Sequence, residues 1–169
     1  MAKTNRSKRR KMVKRLVTNR DFEGLREWAR HEPDTALLVV ALVFNLDDEI
    51  RWNAIDAIGR LSAAIADDEE GGLEKIRGVI RRLLWLMNDE SGGIAWDGPE
   101  AIAEILFHVP ELMAEYGRIV ASFIDEEPFG PGVHRAIARV ASIRREEFEH
   151  VKKRLTESPD SEDPVERAY

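Results

Sequence analysis

The sequence predicts an all-α chain of stacked helix pairs, and three observations carry that reading. Apolar residues recur at helical spacing through most of the 169 residues. No stretch alternates apolar and polar residues as a half-buried strand would. A short pattern, x-Ala-Ile-x-x-(Ile/Val), returns three times, as Asn53–Ile58, Glu100–Ile105 and Arg135–Val140.

The elements follow in order. Met12–Val17 is apolar at helical spacing, TNRDF breaks the pattern, and Phe22, Leu25, Trp28 and Ala29 mark a second amphipathic helix. Pro33 ends it, and Asp34 is placed to cap a third. That third helix, within TALLVVALVFNL, is apolar enough to be buried on most sides and too short to span a bilayer. Asp47-Asp48 interrupts, and a long helix runs to about Asp67. Gly71-Gly72 breaks it. The next helix presents Leu73, Ile76, Val79 or Ile80, Leu83, Leu84 and Met87 on one face. GPEAIAEILFHV and ELMAEYGRIVASFID follow, FGPG at Phe129–Gly132 breaks again, and Val133–Leu155 closes as one long helix or two. Residues 1–157 form one domain in this reading, and 158–169 form an acidic tail without apolar periodicity.

Before each Ala-Ile copy a helix ends in acidic residues. Asp47, Asp89 and Asp125 lie 42 and 36 residues apart, the period of a two-helix repeat. The small alanines allow close approach of successive second helices, and Ile55, Ile102 and Ile137 fill the space between layers. Alignment sets Glu100 opposite Arg135 and Glu104 opposite Arg139 across one repeat boundary.

These residues resemble the HEAT-repeat family, of the bacterial HEAT-like type also seen in phycobilisome lyases. DEIRWNAIDAIGRL (Asp48–Leu61) carries the resemblance most fully, with Ile50-Arg51, Ala54, Ala57 and the Ile58–Leu61 close. The later copies lack the Arg after the turn and the closing Gly. The block Leu83–Ile105 is also similar to uncharacterised small prokaryotic HEAT-like proteins. The resemblance implies a right-handed α-α superhelix, a HEAT-like solenoid of about four helix pairs, and a role in protein binding.

Charge is uneven. The net formal charge is -6, yet residues 1–20 hold nine Lys/Arg and no Asp/Glu. The basic arm is read either as a solvated first helix or as a contact for nucleic acid or an acidic partner. No cysteine is present, which excludes disulfides, thiolate metal sites and Cys nucleophiles. The basic start lacks an apolar signal core, so a cytoplasmic protein is expected.

The turn between the first two Ala-Ile copies is lengthened. Asp47 reaches Ala54 in seven residues, whereas Asp89 reaches Ala101 in twelve. Asp97, Pro99 and Glu100 fit the start of the next helix, with Asp97 and Glu100 as a capping box. Ile94 and Trp96 either fold back against the helices or, with Glu90 and Asp97, form an aromatic anchor beside carboxylates. The third turn is also long, so Phe129 is expected to repeat the aromatic one unit along, with Trp52 and His134 beneath. The turns at 88–98 and 125–132 would then form one partner-binding ridge.

Chemistry is sparse. Glu27/His31, Glu104/His108 and Glu147/His150 are helix-spaced pairs of the kind common on helix surfaces. No Ser elbow, phosphate loop or H-E-x-x-H occurs. The expected function is a non-catalytic scaffold or adaptor that binds another protein, with no catalytic residue, metal or cofactor. One alternative is a DNA-binding protein similar to HEAT-like alkylpurine glycosylases, for which Trp96 with Asp97 or Trp52 with Asp56 would serve. Another is a lyase-like or chaperone role for a cofactor or enzyme subunit.

Overall fold

A computed structural model describes residues 6–68, 70–88, 96–152 and 154. The helices are α1 (Arg6–Thr18), α2 (Phe22–His31), α3 (Thr35–Val43), α4 (Asp48–Asp68), α5 (Gly72–Met87), α6 (Gly98–His108), α7 (Met113–Ser122) and α8 (Gly130–Ala141). Short 3₁₀ turns span Pro110–Leu112, Phe123–Asp125 and Arg145–Val151. Among the described residues there is no strand, and no helix is long and apolar enough to cross a membrane. The tail 158–169 lies outside the described residues.

Local chemistry sets the boundaries. α1 gives way to α2 at Arg20, which takes a left-handed φ of 53°. Asp21 then caps α2 by accepting from the Gly24 N–H at 2.9 Å. Asp34 sits before α3 but makes no side-chain cap. Its carboxylate pairs with Arg9 at 3.3 Å, and the Thr35 hydroxyl donates to the Glu32 carbonyl instead. Asp47 caps α4 through the Ile50 N–H. FGPG does not break a helix: α8 begins at Gly130, with Pro131 in its first turn, where a missing N–H costs nothing. The chain after Ala141 is not a continuous helix but turns at 142–144 into the 3₁₀ segment, whose Phe148 and Val151 are buried.

The core is one cluster running from Val13 in α1 to Val151. Its most extensive helix–helix interfaces are α4 with α6 and α6 with α8. Ala54, Ala101 and Ala136 are buried at matching places on these three helices, as are Ile55, Ile102 and Ile137. Each such isoleucine contributes roughly 1.5–3 kcal/mol of transfer free energy. The Arg135–Glu100 and Arg139–Glu104 pairs form at 2.9 and 2.7 Å. Their rungs advance in the same direction on both helices, so α6 and α8 run parallel.

The approach of α4 to α6 is tightest at Gly59. A Cβ there would lie 2.7 Å from the Glu104 carbonyl oxygen and 2.7 Å from His108 Cδ2. α3 is less enclosed than its composition predicts. Ala36, Val39, Val40 and Val43 are buried, but Leu37 is 49% exposed and Ala41 also faces outward. The reason lies in α5, whose facing residue Gly78 offers no side chain, leaving open space above it.

Gly59→Ala is expected to lower stability by about 1–3 kcal/mol, because the clash is with backbone that cannot rotate away. Gly78→Ala is expected to raise it by about 0.5–1 kcal/mol by removing helix-interior glycine entropy. Denaturant midpoints for the two variants check both signs.

Candidate functional site

The first turns of α4, α6 and α8 meet along one edge, where the expected site residues concentrate. Arg51, in the first turn of α4, pairs with Asp97 at 3.0 Å and with Asp48 at 2.7 Å. The Arg51–Asp97 pair thereby joins the residue before Trp52 to the residue after Trp96. Both indoles face outward, Trp52 at 41% and Trp96 at 64% exposure. The Arg135 guanidinium lies over the Trp52 ring at 5.5 Å from its centroid.

Asp97 stands at the N-cap of α6 but does not close the expected capping box. Its carboxylate lies instead against the full positive charge of the Arg51 guanidinium, as an ion pair. Partial burial raises the Asp97 pKa, against the opposing effect of Arg51. Glu100, the other half of the expected box, instead accepts from Arg135 of α8.

Glu100 is the most unusual group at this edge. It is 5% exposed, and its Oε2 is buried with no hydrogen-bond partner. Burial pushes its pKa up to about 7, although Arg135 opposes the shift. Gly132 of α8 makes room for it: a Cβ there would lie 2.7 Å from Oε2. One turn further on, Glu104 holds Arg139 through both oxygens, and that guanidinium sits 3.5 Å from the Phe107 ring centroid.

Beyond Glu104, the side chains of Asp56, Glu104 and His108 bring ligand atoms within 4.8 Å of one another. The set has the donor chemistry of a divalent-metal site. Burial lowers the His108 pKa, against the opposing effect of Glu104, and Arg60 and Arg139 add to the lowering. The carboxylates are already neutralised: Asp56 pairs with Arg20 at 2.7 Å and Arg60 at 2.6 Å, and Glu104 with Arg139. A dication would have to displace three guanidinium groups. Sequence spacing pointed to Glu104 with His108; Asp56 joins them from another helix, beyond the reach of any local pattern.

The remaining expected residues divide. Glu90 and Ile94 lie outside the described residues. Phe129 is not an exposed counterpart of Trp96: it is 5% exposed and packs edge-to-face on Phe123, with centroids 5.6 Å apart. An aromatic ring gains more by filling this corner than by facing water. His134 is likewise 7% exposed, with its Nδ1 2.8 Å from the Gly130 carbonyl oxygen. Trp96 is exposed, Asp97 is half-buried, and Trp52, expected beneath the ridge with His134, is itself exposed. Arg51 and Arg135 join them, and neither was a sequence candidate for the site. Arg51 carried a signal as the Ile-Arg of the first copy, and Arg135 as the aligned partner of Glu100.

Because the folded pKa of Glu100 is raised, the folded state holds its proton where the unfolded chain has released it. Its contribution therefore falls as pH rises from about 4.5 to about 7, and is constant above. Glu100→Gln is expected to flatten this loss, worth on the order of 1–3 kcal/mol. The difference between wild-type and variant melting temperatures across pH 4.5–8 isolates Glu100 from other titrating groups.

Among curated proteins, the chain is similar to an uncharacterized protein of Archaeoglobus fulgidus, with 28% identity over 120 residues. The alignment covers 70% of this chain, and it spans 61% of the archaeal protein's length. No family model matches, and no solved structure matches. The chain is thus an all-helical protein distantly similar to an uncharacterized archaeal one.

Proposed function

We propose that the chain is a non-catalytic protein-binding scaffold of HEAT-like type, in which helix pairs stack and the starts of α4 and α6 engage a partner. Support for the stacked arrangement comes from the parallel Glu–Arg rungs between α6 and α8, and from the matched Ala-Ile positions on three successive helices. The observation that carries the binding reading is the exposure of two indoles, Trp52 and Trp96, whose chain neighbours Arg51 and Asp97 are ion-paired to each other. Tryptophan beside arginine is the composition that concentrates binding energy at interfaces. Ion pairing of those neighbours lowers the ordering cost of engagement.

A DNA-binding role is the second reading, favoured by the outward-facing Lys8, Arg10, Lys11, Lys14 and Arg15 of α1. A glycosylase-like role for the aromatic–Asp pairs has less support. Asp97 is held by Arg51, and Asp56 by Arg20 and Arg60, so neither carboxylate is free to act as a base.

Affinity capture from the native host is expected to recover a partner with the wild-type chain and to lose it with Trp96→Ala, by about 30-fold in affinity for a hot-spot residue. Retention of every partner by Trp96→Ala sinks the scaffold reading at this edge. Salt-sensitive binding to duplex DNA, abolished by reversing the α1 charges, would favour the second reading instead.

A further inference from the structure

A second surface lies on the helices that precede α4 and α6. α4 and α6 pack closely, but α3 and α5 barely touch. Between them runs an open trough of about 860 Å³, with Leu37, Ala41 and Phe44 on one wall and Gly78 and Leu86 on the other. It shares Leu37 and Gly78 with an adjoining apolar pocket of about 350 Å³, which extends the same groove towards Ala36 and Val79. Among the described residues, nothing lies within 4 Å of where a Gly78 Cβ would be.

The rim is basic. Arg6, Arg9 and Arg10 of α1 line the trough on one side and Arg82 of α5 on the other. Arg9 is committed to Glu32 and Asp34. Arg82 lies over the Trp85 ring at 4.3 Å, and Trp85 itself is 53% exposed. Arg6 and Arg10 form no ion pair among the described residues.

We propose that this trough is a docking groove for an acidic amphipathic helix of a partner protein. A gap between two helices, widened by a glycine on one wall, receives a third helix through its apolar ridge. Carboxylates flanking that ridge would meet Arg6, Arg10 and Arg82. Single-stranded nucleic acid is a poorer fit because Phe44 is the one ring among the described lining residues, and a run of bases needs successive rings to stack on. A membrane is a poorer fit because a concave trough cannot insert its floor into a bilayer. The groove is separate from the Trp52–Trp96 edge, so the two surfaces can be tested apart.

The test is calorimetric titration of the full chain with a synthetic peptide of about 18 residues, built from Leu, Ala and Glu with Leu at helical spacing. Its counterpart carries Lys for every Glu. The acidic peptide is expected to bind saturably, at tens of micromolar, and about 10-fold or more tighter than the basic one. Gly78→Phe is expected to fill the groove and weaken binding about 10-fold or more, with the melting temperature unchanged or raised. Arg6→Glu with Arg10→Glu is expected to weaken it without unfolding, and Trp96→Ala to leave it intact. Equal binding of both peptides, or wild-type binding by Gly78→Phe, overturns the proposal. So does a self-association of the wild-type chain that Gly78→Phe abolishes, which would make a second copy the occupant. Preferential sedimentation with phosphatidylglycerol vesicles, lost in the Arg6/Arg10 variant, would make the face a lipid contact and overturns it as well. Failure of the Trp96 capture experiment with peptide binding intact removes the scaffold edge and leaves the groove.

Discussion

The close approach of α4 to α6 is the constraint from which most of this structure follows. Gly59 sets the Glu104 backbone almost against its own, and Ala54, Ala57 and Ala101 keep the rest of the seam narrow. At that separation, long charged side chains can bridge adjacent helices. Arg51 reaches Asp97, and Arg20 reaches Asp56 from outside the seam. α6 and α8 repeat the arrangement with Glu100–Arg135 and Glu104–Arg139. Most of these bridges are partly exposed, so each adds little to stability, about 0–1 kcal/mol. Their effect is on register: sliding one helix by a turn would break several at once and leave Glu100 buried without its cation.

The same seam explains why α4, α6 and α8 pack differently from α3 and α5. Small residues draw α4, α6 and α8 together, and no equivalent run of small residues faces α3 from α5. The single Gly78 opens space without a neighbour to occupy it. Close packing at α4–α6 and an open trough at α3–α5 are two outcomes of a glycine inside a helix. At Gly59 the missing side chain is replaced by a neighbouring backbone; at Gly78 nothing among the described residues takes its place.

Helical periodicity made the element order readable, because burial against a single core imposes it on every helix. The Ala-Ile seam and both Glu–Arg rungs were readable too, since matching positions on successive helices share one environment. The Arg51–Asp97 pair was not, because it joins residues on different helices across a lengthened turn, where no spacing rule applies. The capping box at Asp97 and Glu100 was misleading for the same reason: local grammar favoured the backbone, and two distant arginines outcompeted it. Phe129 read as an anchor because its turn is acidic and long, yet Phe123 lies close enough to enclose it. The exposed face of α3 could not be inferred from nine mostly apolar residues, since its exposure depends on a glycine in another helix.

The placement of the indoles has a spectroscopic corollary. Trp52, Trp85 and Trp96 all meet solvent in the native fold, and Trp28 is only partly enclosed. Native emission should resemble that of hydrated indole, so loss of the fold would shift its wavelength little. The same exposure places three intrinsic chromophores where an arriving molecule would cover them, two at the helix-start edge and one beside the arginine-rimmed trough.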